Sequence, residues 1–384
     1  MRSSPTIDRD DLVLHTRHRV NALHHAVRPS TWLDALRLNA ADTSTAAALR
    51  VGVAVAVVLV IGGLAGQYSV AGIASLGAIV SAFCRPDPYR VRMPRLVFVA
   101  VMLWTSVAVG GLLAVLHAPI AVQIVVMALL GGVGALVVAA LHLVGPGAVV
   151  MVFAANAALG SVADWRGLVT AMVSVMIGTA VGFVAAIAPW IWVQVARAFG
   201  RDVTLVEPAA GVAYDSIARS LVRVTDRRHL ELAGRVVVAS ALAAGVAVAL
   251  GLQHPMWAAM GALAALVGVQ YHNSVRRGVQ RLLGNVGGAA IAAVLLMIPL
   301  GFWWSVVFVV IFQTIAEIMA PRNYGITSLV VTPMALLMTA LGAGLSSGVA
   351  LTRVFDTFVG VVIGIVIAAV TITRDDRVGD PSRS

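Results

Sequence analysis

The chain has 384 residues, 60% hydrophobic and 11% charged, with a mean hydropathy of +0.95 and a formal net charge of +10. That apolar share excludes a water-soluble globule; at about 20 apolar residues per bilayer crossing, the length holds roughly ten to thirteen transmembrane helices and little else. All 27 basic residues are arginine, so a phosphate-cradling GxxxxGK[ST] loop and a pyridoxal Schiff base are excluded, and with them ATP-driven pumping by this chain. The single cysteine, Cys84, excludes an intramolecular disulfide and a thiolate metal cluster.

Residues 1–46 are polar and basic and show no secretory leader. Here Leu12, Leu14, Trp32, Leu33 and Leu36 alternate with His15, Arg17, Arg19, His24, His25 and Arg28. The pattern suits an amphipathic helix in the headgroup layer and equally a partly ordered basic tail. Apolar runs then predict twelve spans near 47–65, 69–84, 96–116, 119–141, 146–163, 168–192, 236–252, 255–271, 283–300, 302–320, 325–346 and 354–373. Between the sixth and seventh, residues 193–235 hold GRDVTLVEPAAG and SIARSLVRVTDRRHLELAGR, read as a cytoplasmic linker helix too short for a domain. Residues 374–384 form a tail.

Arginine placement tests the count, because cytoplasmic loops collect positive charge. Twelve spans with both termini in the cytoplasm put 25 of the 27 arginines on one side and leave only Arg166 and Arg353 on the other. Each of these precedes the last span of a six-span half, before MVSVMIGTAVGFVAA and FVGVVIGIVIAA. At an offset of 186 residues, Arg90 falls on Arg276, Arg95 on Arg281, and Ile177-Gly178 on Ile363-Gly364. An even number of spans per copy makes the copies parallel, related by an axis along the membrane normal. The expected fold is an all-α polytopic membrane protein of about twelve transmembrane helices in two parallel six-helix repeats, residues 47–192 and 236–373.

The second repeat carries QHPMWAAMGALAALVGVQ, RRGVQRLLGNVGGAAIAA and TRVFDTFVGVVIGIVIA in order. This succession resembles the integral membrane module of the FUSC family, named after fusaric acid resistance and related to aromatic acid exporters. The R-x4-R-L-L-G segment from Arg276 through Gly284 is the most specific match, and RPDPYRVRMPR of the first repeat is a weaker one. The resemblance implies a bacterial inner-membrane protein that exports small organic, often aromatic, acids. Plant malate channels resemble one such six-span unit and dimerise around a basic anion path, so two fused units look like a built-in dimer. Many members also carry a sizeable cytoplasmic domain, which the short linker and tail here replace.

An anion crossing a low-dielectric region needs positive groups in place of water. Arg90, Arg95, Arg276, Arg277 and Arg281 are expected to ring the cytoplasmic mouth, or simply to anchor span ends as topology requires. Arg166 and Arg353, against the positive-inside tendency, are the candidates for the path itself; with Asp164 and Asp356 nearby they read equally as neutralised helix starts. Glu317, a carboxylate inside an apolar run, is the candidate coupling group, unless it reaches water or Arg322. Asn156 and Thr332-Pro333 interrupt two spans, as unwound substrate-facing helix or as packed kinks. Tyr68, Trp257, Trp303 and Trp304 are read as interface anchors, and Gly284-x3-Gly288, Gly344-x3-Gly348 and Gly360-x3-Gly364 as close helix contacts.

No zincin, nucleophile-elbow or nucleotide fingerprint is present, so neither an enzyme nor a cofactor or metal is expected. Topology and the anionic leaflet account for the basic balance, which removes the case for nucleic acid. The expected partners are the lipid bilayer and a small organic anion, and the sequence sets no oligomeric state. A secondary exporter or conduit is the first reading; a non-transporting membrane scaffold or envelope-assembly partner is the alternative.

Overall fold

The computed structural model describes residues 28–40, 44–201, 217–266, 271–343 and 348–371. Most of the basic N-terminal segment, the centre of the linker, Gly344 and the tail lie outside the described residues. All regular structure among the described residues is helical. A short helix α1 (Pro29–Leu36) precedes a first set: α2 (Thr45–Leu64), α3 (Tyr68–Ala78, continued as a 3-10 turn), α4 (Tyr89–Val115), α5 (Ile120–Ala140), α6 (Val149–Ser161) and α7 (Trp165–Ala198). After α8 (Ile217–Val222) comes a second set: α9 (Arg227–Ala249), α10 (Pro255–Ala265), α11 (Tyr271–Met297), α12 (Phe302–Met319), α13 (Tyr324–Ala343) and α14 (Gly348–Val370).

Local chemistry sets the helix starts. Ser44 caps α2 by accepting from the Ala47 N–H at 3.2 Å, and Asp164 caps α7 by accepting from the Gly167 N–H at 2.7 Å. Along α2, Leu49, Val53, Val57 and Ile61 stay exposed at four-residue spacing while Val51, Val55 and Leu59 are buried. Lipid and protein interior are both apolar, so such a helix is apolar on every side.

Among the described residues, eight helices, α2, α4, α5, α7, α9, α11, α12 and α14, are long and apolar enough to cross a membrane. The protein is thus a helical membrane protein, but the expectation of twelve full crossings is not met element by element. The runs at 69–84, 146–163 and 255–271 shorten to apolar helices within Tyr68–Ala82, Val149–Ser161 and Pro255–Ala265, whereas α13 runs 20 residues, Tyr324–Ala343. Eleven residues of helix α10 rise only about 17 Å, against a hydrocarbon thickness of about 30 Å. Hydropathy counts an apolar residue facing protein the same as one facing lipid, so a buried short helix reads as a span. Every residue of α10 from Met256 to Ala265 is buried, and backbone at membrane depth is tolerated where protein surrounds it. The arginine-rich stretch before α9 is likewise not one helix: it breaks at Asp226, which caps α9 from the Arg228 N–H.

The two sets pair their helices alike. In the first, α3 packs on α7 and α4 on α6; in the second, α10 packs on α14 and α11 on α13. Small residues make the closest approaches. Gly178 and Gly182 of α7 lie against the carbonyls of Ala74 and Ala78, and Gly360 and Gly364 of α14 against those of Ala258 and Ala262. Gly284 and Gly288 of α11 admit the carbonyls of Gly325 and Leu329 of α13. The Leu329 carbonyl is the one that Pro333, lacking an N–H, leaves without its helical partner. The sets meet reciprocally, α5 against α9 and α12 against α2, with α3 and α6 facing α13 and α10.

Helix α1 is tied to the second set. The Gln280 and Asn323 amides donate to the Ala35 carbonyl at 2.9 and 3.2 Å, and Asn323 also donates to the Arg37 carbonyl at 3.0 Å. Thr31 and Ala35 face this contact, while Leu33 and Leu36 remain exposed. This end of the basic segment is a docked helix with an apolar outer face; its earlier residues lie outside the described ones.

Candidate functional site

Between the two sets lies a cavity of about 170 Å³ whose walls differ in chemistry. The first set contributes Ile79, Gly145, Pro146, Val149, Val150 and Phe153, without a charge among them. The second contributes Arg277 and Arg281 from α11, Glu317 from α12, Tyr324 and Ser328 from α13, and Arg353 from α14.

On α11 the residues Arg277, Arg281 and Asn285 follow one another at four-residue spacing, so the helix presents one polar face. The Arg277 guanidinium lies 4.0 Å from the Tyr324 ring centre, and Arg281 Nη1 makes a long 3.5 Å contact to the Tyr324 hydroxyl. Asn285 is fully buried and bonded both ways: its Nδ2 donates to the Arg353 carbonyl at 3.2 Å and its Oδ1 accepts from Thr332 at 3.1 Å. Arg353, 2% exposed, stacks over Trp257 with 4.4 Å to the ring centre. The Arg277 and Arg281 Nε atoms and the Arg353 Nη1 atom are buried without a hydrogen-bond partner, and among the described residues none of the three arginines forms an ion pair. Aromatic faces offset part of the desolvation of a guanidinium; an unpaired buried charge still costs several kcal/mol.

Glu317 is satisfied by contrast. Its carboxylate takes Arg85 Nη2 of the first set at 3.1 Å and Gln313 Nε2 at 2.9 Å, and Arg85 Nη1 also reaches the Glu317 carbonyl at 3.3 Å. This ion pair bridges the two sets at the cavity edge. With Glu317 compensated by Arg85, the three remaining arginines leave the cavity strongly positive.

The sequence candidates therefore divide. Arg281, Arg353 and Glu317 meet at the cavity. Arg95 is buried but paired with Asp87 at 2.7 Å, away from the lining. Arg90 and Arg276 are exposed, as is Arg166 in the first turn of α7. Arg166 and Arg353 are not equivalent: the glycine contacts align Gly360 with Gly178 and Gly364 with Gly182, an offset of 182 residues rather than 186 for this helix. In that register Arg353 corresponds to the buried Ala171. Asn156 lies in the unbroken helix α6 outside the lining, and Thr332 in the unbroken α13, bonded to Asn285 and to the Ser328 carbonyl. Neither marks unwound backbone. Trp257, read as an interface anchor, is buried at 6% under Arg353, whereas Trp303 and Trp304 stay exposed.

Sequence reasoning missed Arg85 as the partner of Glu317, and Tyr324 altogether; it placed Gln313 one helical turn before Glu317, where the two side chains do bond. The four-residue spacing from Arg277 through Arg281 to Asn285 was the available signal for a polar helix face.

Residues 242–367 match the family described as fusaric acid resistance protein-like. All charged groups of the cavity lining fall within the match, and the apolar wall falls outside it. The fold defines a polytopic helical membrane protein. The matched segment runs from within α9 to near the end of α14 and is similar to that family over this stretch. No curated protein and no solved structure matches the chain.

Proposed function

We propose that the chain is a secondary exporter or conduit of small organic anions, with aromatic carboxylates as the substrate class, and that the cavity between the helix sets is its path. One observation carries this reading: Arg277, Arg281 and Arg353 converge on one cavity, Arg281 and Arg353 buried and Arg277 half-buried, without a carboxylate partner among the described residues. A bare buried cation is expensive, and an arriving anion removes the expense. The opposite apolar wall suits the body of an organic acid, and a volume of about 170 Å³ is on the scale of cavities that take up a single benzene ring.

In this reading the two sets are parallel repeats, residues 47–192 and 236–373 joined by a linker at 193–235, and the path runs along the axis between them. The arginine distribution supports a cytoplasmic position for both termini, residues 1–46 and 374–384, and the resemblance to the FUSC family implies a bacterial inner-membrane location. Exposed Arg90 and Arg276 then serve the mouth, where they raise local anion concentration.

Proteoliposomes holding the purified chain should pass labelled benzoate. The Arg281→Ala, Arg353→Ala double variant should lose flux by about tenfold or more, the scale of a charge-assisted hydrogen bond, at unchanged membrane yield. Undiminished flux in that variant retires the arginine path.

A further inference from the structure

One helical turn beyond Arg353 on α14, Asp356 is 0% exposed and, among the described residues, neither of its carboxylate oxygens has a hydrogen-bond partner. The two side chains are electrostatic neighbours, yet they form no ion pair. Two opposite charges buried side by side and not touching make a costly arrangement; it is relieved once the carboxyl carries a proton, because a neutral acid is far cheaper to bury than a carboxylate.

The helices packed on α14 are α9, α10 and α11. Helix α11 brings Arg281 toward Arg353, and the start of α10 brings His254, stacked on Trp257 at 4.9 Å. Helix α9 brings Arg235, which donates to the Thr371 carbonyl at the far end of α14. None of these is a carboxylate, and Glu317 is already held by Arg85 and Gln313. Burial first, then the Arg353 charge, push the His254 imidazole below its usual pKa, so it stands neutral at neutral pH.

We propose that Asp356 is the proton-binding site of this cavity, and that an ionised Asp356 and the transported anion compete for Arg353. The inference rests on the transport reading above. With the proton on Asp356, the Arg353 guanidinium is free to take a carboxylate from the cavity. When the proton leaves to water, the Asp356 carboxylate turns to Arg353 and the anion is displaced. No covalent bond of the anion changes, and by linkage anion and proton strengthen each other's binding by the same factor. Glu317 in this scheme holds the two helix sets together.

Calorimetric titration of the full chain in detergent with benzoate, from about pH 5 to about pH 9 in two buffers of different ionisation enthalpy, counts protons taken up per anion. Wild type and His254→Gln should take up close to one proton at the alkaline end, where affinity falls by about tenfold per pH unit. Asp356→Asn should bind benzoate without uptake and with flat affinity, while Glu317→Gln keeps the uptake. Wild type that binds benzoate without uptake across the range, or Asp356→Asn that retains uptake, overturns the proton site and leaves the transport reading intact. Wild type that neither binds nor passes benzoate sinks the transport reading, and the proton site falls with it. Should Asp356→Asn not fold, the wild-type proton count decides alone, since zero uptake overturns the proposal.

Discussion

The two walls of the cavity handle the same residue type in opposite ways. In the first helix set Arg95 is buried and held by Asp87 at 2.7 Å, and the wall that set presents is apolar. In the second, Arg281, 186 residues further on, is just as buried but opens on the cavity beside Arg277 and Arg353, with no ion pair to a carboxylate on any of the three among the described residues. Burying a cation is tolerable with a partner and costly without one. Helix pairings common to both sets thus separate two tasks, a closed ion pair on one side and an open cationic face on the other.

Copying the closed arrangement onto the open wall should have the largest effect. Val331 lines the cavity on α13 and is close to aspartate in volume, so Val331→Asp places a carboxylate among the arginines with little steric change. Benzoate flux in proteoliposomes should drop on the order of 100-fold, since each charged partner it satisfies is worth about 1.5–3 kcal/mol, while membrane yield stays near wild type. Flux that survives this substitution would mean the open arginines do not meet the anion.

Opening the closed arrangement is the converse and should touch stability instead of transport. Asp87→Asn leaves Arg95 buried without its counter-charge, an expected loss of about 3–5 kcal/mol visible as a lowered thermal midpoint in detergent. Flux through the protein that remains folded should be unchanged, because Arg95 is not on the lining. A fall in flux per folded molecule would place the first wall in the path after all.

Much of this was legible in the sequence because it follows from composition and period. Long apolar runs announce helices such as α2 and α12, and the glycine pairs of α11 and α14 announce close packing. What periodicity does not carry is which face meets lipid and which meets protein. That is why the short α10 reads as a span, and why Trp257, placed near a span end, reads as an anchor when it lies beneath Arg353. Contacts between distant segments leave no local trace either: Arg85 and Glu317 are 232 residues apart, and nothing in the neighbourhood of one announces the other.

The same limit explains Arg166, and it supplies the smallest prediction. Aligning the two sets by arginines puts Arg166 beside Arg353. Aligning them by the glycines that touch carbonyls puts Ala171 there, because Gly178 and Gly182 meet α3 as Gly360 and Gly364 meet α10. Contact geometry is the stricter guide: a glycine against a backbone carbonyl fixes a helix lengthwise to within a residue, whereas an arginine near a helix end can sit a turn either way and still reach water. Arg166 is exposed just after the Asp164 cap of α7, in the same turn as the exposed Trp165. Arg166→Ala should therefore change benzoate flux by less than about twofold and stability by less than about 0.5 kcal/mol, whereas Arg353→Ala alone should cost flux by about tenfold. Equal losses in the two variants would restore the arginine register and with it a second cationic site in the first helix set.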